Sequence, residues 1–243
     1  MVVRTPLAPA ALLRWDVVKG VLPESPSRIL EVGCGKGGFA ALLSRHNSYL
    51  GFEPDPVSSA VAAQSVSDAP GARIRHEPLT AETKIEGEFD VVAAFEVLEH
   101  LPDDVGALKS WLRWLSDDGI VVFSVPAHSA RFGCWDEMVD HQRRYDRVDL
   151  EALLAGAGLV PRKILCYGFP LTRATEWVRN AVCSRRRAQE DVGTSASGRM
   201  CQPSSAKLGW LIRLGTWPFV RMQRLFLGTE LGTGWVVTAG RSR

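Results

Sequence analysis

The stretch Arg28–Glu53, RILEVGCGKGGFAALLSRHNSYLGFE, constrains the fold of this chain more than any other. Ile29, Leu30 and Val32 make an apolar run of the kind a fully buried parallel strand needs. After the glycines, Phe39, Leu42 and Leu43 recur at helical spacing, and Tyr49–Phe52 reads as a second strand closing on Glu53. Strand, glycine turn, helix and strand in that order are the opening βαβ unit of a doubly wound sheet. Gly33, Gly35, Gly37 and Gly38 remove side chains at the turn, so a bound molecule can approach the backbone N–H groups there. A cofactor site at this turn is the expectation.

Two cofactors compete for it. Gly33, Gly35 and Gly38 satisfy G-x-G-x-x-G, and Glu53 stands about twenty residues on, where a nicotinamide dinucleotide would place a ribose-binding acid. Glu31 tilts the choice. A carboxylate two residues ahead of the glycines repels a pyrophosphate and attracts the methionine ammonium of S-adenosylmethionine. The string EVGCGKG resembles motif I of the class I S-adenosylmethionine-dependent methyltransferases. That resemblance implies that Glu31, Gly33, Cys34, Gly35 and Gly37 line the methionine end of the cofactor, and that Glu53 with Pro54 holds the ribose. It further implies adenine contacts from Glu77 and Leu79 and a cofactor contact from Phe95 and Glu96.

The rest of the chain fits the same α/β plan. Residues 1–27 contain an amphipathic helix and a proline-punctuated link. Residues 28–169 form the cofactor-binding core, with a helix near 57–65, a third strand near 72–75, and the acid-led apolar strand Phe89–Phe95 as strand four. A helix over 103–115, strand five at 120–125, a helix over 149–157 and strand six at 159–167 follow. From Pro170 the pattern changes. Helices are expected at 172–187 and 208–227, separated by a Ser-, Gly- and Thr-rich span, 191–206, expected to be mobile. Residues 229–243 return to the core with a closing strand, GWVVTA. The expected architecture is a Rossmann-like doubly wound sheet of seven strands, helices on both faces, with a helical insertion over 170–228 between strands six and seven.

Glu96-Val97-Leu98-Glu99-His100 begins where strand four ends, and ligands of open α/β sheets bind outside the carboxyl ends of strands. E-V-L-E-H resembles the post-strand-four motif of ubiquinone-type and other small-molecule methyltransferases. It also resembles the E-x-x-E-H of metal-dependent 2′-O-methyltransferases of small RNAs, which implies an alternative role for Glu96, Glu99, His100 and His141 as divalent-metal ligands. After strand five come His128 and D-H-x-R-R-Y, residues 140–145. A neutral imidazole accepts a proton from a hydroxyl near neutral pH, so His141 and His100 are the candidate catalytic bases. His128, Arg144 and Tyr145 are the candidate acceptor contacts.

Composition narrows the function less. A net charge of +2 from 29 basic and 27 acidic residues carries no general nucleic-acid signature. Five cysteines, scattered and without C-x-x-C, read as reduced thiols of a cytoplasmic protein. The aromatic and basic segment 208–227 suits a lid, a membrane-surface contact or a packing interface. The resulting expectation is a cytoplasmic enzyme that moves a methyl group from S-adenosylmethionine to a small-molecule hydroxyl. The alternatives are an RNA-end 2′-O-methyltransferase and an NAD-dependent oxidoreductase.

Overall fold

The computed structural model describes residues 7–187 and 206–242. Seven strands form one sheet: β1 Arg28–Val32, β2 Ser48–Phe52, β3 Ala72–Arg75, β4 Phe89–Phe95, β5 Leu115–Pro126, β6 Leu159–Tyr167 and β7 Gly234–Arg241. Their order is β3-β2-β1-β4-β5-β7-β6, parallel throughout except for β7, which runs against both β5 and β6. Adjacent antiparallel strands need no crossover helix. The β6–β7 connection is therefore free of the packing duty that the other connections carry, and it holds the two helices of the insertion.

Side chains alternate between two cores. Leu30, Val92, Val121, Phe123 and Val237 meet Leu108 and Trp111 of α4 (Asp104–Trp111) and Leu150 and Leu154 of α6 (Arg147–Gly156) on one face. On the other, Ile29, Val91, Ala93, Val122 and Val236 meet Leu13 and Val17 of α1 (Pro9–Val18), Phe39, and Leu43 of α2 (Ala40–Leu43). A strand covered on both faces must be apolar at consecutive positions, as β4 is.

Helix ends follow local chemistry. Asp55 accepts from the Ser58 N–H at 2.8 Å and starts α3 (Pro56–Ser65), with Pro56 at the first position, where a missing N–H costs nothing. Asp103 accepts from the Gly106 N–H at 2.8 Å and starts α4. The helix expected after the glycine turn is cut to one turn, α2, because the Asn47 amide donates to the Leu43 carbonyl at 2.7 Å and stops it. Helix 103–115 likewise ends at Trp111 and finishes in a 3₁₀ turn, Leu112–Trp114.

The insertion holds α7 (Leu171–Arg187) and α8 (Ala206–Gln223). The expected mobile span lies, up to residue 205, outside the described residues. On α1 rather than on the sheet, α8 finds its seat: Gln223 donates to the Leu13 carbonyl at 2.9 Å, and Arg224 makes a two-point ion pair with Asp16. The expectation of reduced thiols is corrected. Cys134 of α5 (Cys134–Met138) and Cys183 of α7 form a disulfide, because the two helices pack together and bring the Cα atoms to 6.1 Å. A sequence separation of 49 hid the pair, and the cysteine argument for a cytoplasmic protein goes with it. Cys34 and Cys166 are free and buried, and Cys201 lies outside the described residues.

Phe123 is fully buried at the centre of the sheet. Phe123→Ala should cost about 3–5 kcal/mol of unfolding free energy, read as a lowered urea midpoint with an unchanged slope.

Candidate active site

One cleft of about 1230 Å³ opens at the carboxyl ends of β1, β2 and β4. At one end lies the glycine turn. Gly33, with φ 69°, is glycine by necessity, since a Cβ there would stand 2.7 Å from Val97 Cγ2. The turn's N–H groups are already engaged: Gly33 and Cys34 donate to the Phe52 carbonyl, Gly35 to Glu53 Oε2 at 2.8 Å, and Gly37 to the Cys34 carbonyl. Glu53 also accepts from the Asp55 N–H at 2.9 Å, which fixes both carboxylate oxygens at the cleft wall with lone pairs to spare. Gly33, Gly35, Glu53, Pro54, Glu77, Leu79, Phe95 and Glu96 all line the cleft.

Glu31, Cys34 and Gly37 do not line it. Strand alternation turns Glu31 beneath the turn, where only 2% of it is exposed and the Tyr49 hydroxyl donates to its Oε2 at 2.5 Å. Gly51 makes this contact geometrically feasible, because a Cβ at that position would lie 2.6 Å from the Tyr49 oxygen. Burial pushes the Glu31 carboxyl up to about 7, the Tyr49 hydrogen bond opposes the shift, and the nearby Glu53 charge adds to it. The pair that faces the cleft beside the glycine turn is instead Glu96 with Arg14. Glu96 closes β4 with φ 57°, accepts from the Ser124 hydroxyl at 3.0 Å, and meets Arg14 of α1 at 3.2 Å. Arg14 also donates to the Tyr167 hydroxyl at 2.9 Å.

At the far end the His141 ring is held by Asp136, with Nδ1 to Oδ1 at 2.9 Å. Asp136 accepts from Arg144 Nε at 2.8 Å and from the Gly133 N–H at 2.9 Å as well. Burial works against its charge, yet the His141 and Arg144 hydrogen bonds hold its carboxyl at about 2. An ionised carboxylate only accepts, so Nδ1 of His141 carries the proton of this bond and Nε2 is the ring nitrogen not engaged by Asp136. That Nε2 lies 3.8 Å from Glu99 Oε1. The His100 ring stands edge-on to His141 with centroids 4.8 Å apart, and burial, with His141 second, lowers its pKa so that it is neutral near pH 7. Glu99 is fully buried, neither of its oxygens has a hydrogen-bond partner, and burial followed by the Glu96 charge raises its pKa well above the carboxylate range.

Of the three expected acceptor contacts, two lie off the cleft. His128 lies off the cleft, its ring beside Trp235. Tyr145 is buried and donates to Asp104 at 2.8 Å, a bond that ties the loop to α4. Arg144 reaches the cleft wall, but its guanidinium is committed to Asp136 and to Glu176 of α7. Among the expected metal ligands, Glu99, His100 and His141 come together, each offering an atom within 4.8 Å of the others, whereas Glu96 turns to Arg14. Arg14, Asp136 and Glu176 were missed. Arg14 gave one weak sign, a lone cation inside the apolar stripe Ala10–Val18; Asp136 gave none apart from its place before His141.

A glycine turn, an acid held at the end of β2 and a polar far wall at a β1/β4 switch point define a Rossmann-like cofactor-binding enzyme fold. Residues 11–164 match the methyltransferase domain family, and the chain belongs to that family. Its relatives include proteins named ubiquinone biosynthesis O-methyltransferase. That of Neisseria meningitidis is 31% identical over 117 residues, covering 46% of this chain and 49% of the relative. That of Azorhizobium caulinodans is 36% identical over 109 residues, covering 44% and 43%. The chain thus spans about half the length of the relatives it matches. Among solved structures, an S-adenosylmethionine-dependent methyltransferase from Mesorhizobium loti superposes with TM-score 0.58 at 15% identity, covering 94% of this chain and 97% of the other. Coclaurine N-methyltransferase superposes at 0.58 with 9% identity over 95% and 71%, and the cyclase SpnF at 0.60 with 16% identity over 94% and 80%. These likenesses establish the class I fold; a cyclase among them shows that the fold does not by itself name the reaction.

Glu31 supplies a test of the buried acid. Its folded pKa lies above the ordinary carboxylate value of 4.5, so the folded state holds the proton more tightly than the unfolded chain. Its contribution to stability is full below about pH 4.5 and is lost as pH rises toward 7. Glu31→Gln should flatten that part of the profile, measured as the difference in urea midpoint between variant and wild type at pH 5 and pH 8.

Proposed function

We propose that this chain transfers the methyl group of S-adenosylmethionine to a hydroxyl of a small-molecule acceptor. The observation that carries this reading is the continuity of the cleft, which runs from Glu53 and the glycine turn to the Asp136–His141 pair and, at about 1230 Å³, exceeds what one drug-sized ligand fills. The residues suit the donor. Glu53 would take the ribose hydroxyls, Leu79 and Pro78 the adenine face, and the Arg14–Glu96 pair the carboxylate and ammonium of the methionine end. They suit a nicotinamide dinucleotide poorly, because the N–H groups of Gly33, Cys34, Gly35 and Gly37 already donate inside the protein and leave no cradle there for a pyrophosphate.

When bound, the sulfonium supplies an activated methyl carbon for in-line displacement. The protein's part is to hold the two partners in line and to manage the acceptor proton. His141 Nε2 takes that proton, and Asp136 stabilises the resulting imidazolium and fixes the ring. A hydroxyl needs such a base more than an amine or an enol carbon does, which favours O-methylation. Family kinship with enzymes named for ubiquinone O-methylation supports the same choice. The cleft is lined by Glu53, Asp55, Glu77, Glu96, Asp136, Asp140 and Glu176 against three arginines, a balance that disfavours an RNA end.

A second reading has one specific observation behind it. Glu99 is buried with both oxygens partnerless beside His100 and His141, an arrangement that a divalent cation would satisfy. Such an ion would polarise the acceptor oxygen, while Glu99 and the two imidazoles held it.

His141→Ala should lower kcat by about 10²–10⁴-fold with donor affinity, measured by titration calorimetry, nearly unchanged. Glu53→Ala should weaken donor binding by about tenfold or more through loss of a charged hydrogen-bond acceptor. Under the first reading, EDTA dialysis leaves turnover intact. Loss of turnover restored by a divalent cation would establish the second.

A further inference from the structure

Helix α8 is amphipathic with an apolar side turned outward. Ile212, Thr216, Phe219, Val220 and Gln223 recur at helical spacing and face inward toward α1 and the core. The opposite side carries Trp210, Leu211, Leu214 and Trp217, with Trp210 63% and Trp217 58% exposed. Leu225 continues the stripe just past the helix end and is 80% exposed. Isolated apolar residues on a surface need no explanation, but a contiguous stripe with two tryptophans marks a contact surface.

Charge says what kind. Residues 170–228 hold ten Lys and Arg against three Asp and Glu, a net +7 in a chain whose total is only +2, so the remainder is net −5. Within α8 itself there is no acid. Arg213 stands beside the stripe, and Arg221 lies over the Trp217 ring at 5.3 Å from its centroid. Tryptophan at the headgroup level, aliphatic side chains below it and arginines able to reach phosphates form the pattern of a helix lying in a bilayer surface. Among the described residues no helix is long and apolar enough to cross a membrane, so the helix would lie on the bilayer rather than span it. Family resemblance contributes nothing here, since the matched residues end at 164.

We propose that the outward face of α8, Trp210 to Trp217 with Arg213 and Arg221, is a docking surface for an anionic lipid bilayer. Anchorage of α8 on α1 through Gln223 and Arg224 makes this face a rigid part of the protein, independent of whether methyl transfer is the reaction. Co-sedimentation with vesicles of phosphatidylglycerol and phosphatidylcholine, compared with pure phosphatidylcholine, tests it on the full chain. Binding is expected to the anionic vesicles, at least tenfold weaker to the neutral ones, and to fall as salt is raised. The double variant Leu211→Glu, Leu214→Glu should lose at least tenfold in vesicle binding while keeping the wild-type melting temperature and donor affinity. Four results would overturn the proposal: no sedimentation with either vesicle, equal binding to both, undiminished binding by the variant, or a wild-type dimer in analytical ultracentrifugation that the same substitutions dissociate.

Discussion

Parallel pairing of β1 with β4, in register from Ile29 with Val91 to Val32 with Ala94, is the constraint from which the site follows. The chain leaves β1 toward β2 on one side and leaves β4 toward β5 on the other, so the loops after the two strands diverge and leave a gap between them. Into that gap project Gly33 and Gly35 from one loop and Glu96 and His100 from the other. Had β7 been parallel to β5, its connection from β6 would have needed a crossover across the sheet. Because it is antiparallel, that connection is released to carry α7 and α8.

Several acids lie in or beside the cleft, and the protein handles each differently. Glu53 is held ready by two backbone N–H groups. Glu31 shelters beneath the turn, where only the Tyr49 hydroxyl serves it, in space that Gly51 leaves open. Asp136 stays ionised because His141, Arg144 and Gly133 all donate to it, and through Arg144 it is tied to Glu176 of α7. Glu99 has no donor to either carboxyl oxygen among the described residues. A buried charge without partners is costly, so the neutral acid at Glu99 and the neutral imidazole at His100 leave this corner of the site with little charge of its own. Asp136 is thereby the charged group held against His141 and Arg144, and Glu99 and His100 are the neutral surroundings.

Attachment of the insertion explains how a segment outside the family core can still shape the site. Helix α7 contributes Thr172, Thr175, Glu176 and Arg179 to the cleft lining and is fastened to α5 by the Cys134–Cys183 disulfide and by Arg179 over the Trp135 ring. Helix α8 is fastened instead to α1, whose Arg14 lines the cleft and pairs with Glu96. The two helices thus brace opposite ends of one cleft, α7 directly and α8 through α1.

Much of this was legible along the chain. Consecutive apolar residues in β1 and β4, the glycines between strand and helix, and Glu53 at the end of β2 are local patterns, and local patterns survive translation into structure because hydrogen bonding and strand alternation act over a few residues. The same alternation also decided against Glu31 as a cleft wall, a matter of which face of β1 its side chain takes. What only the tertiary structure decided was partnership at long range: Arg14 with Glu96, His141 with Asp136 and Glu99, Cys134 with Cys183, and the withdrawal of His128 and Tyr145 into structural contacts. Each of these depends on two segments meeting in space. A sequence states which groups are available, but distance and desolvation, which select among the available partners, exist only once the sheet has closed.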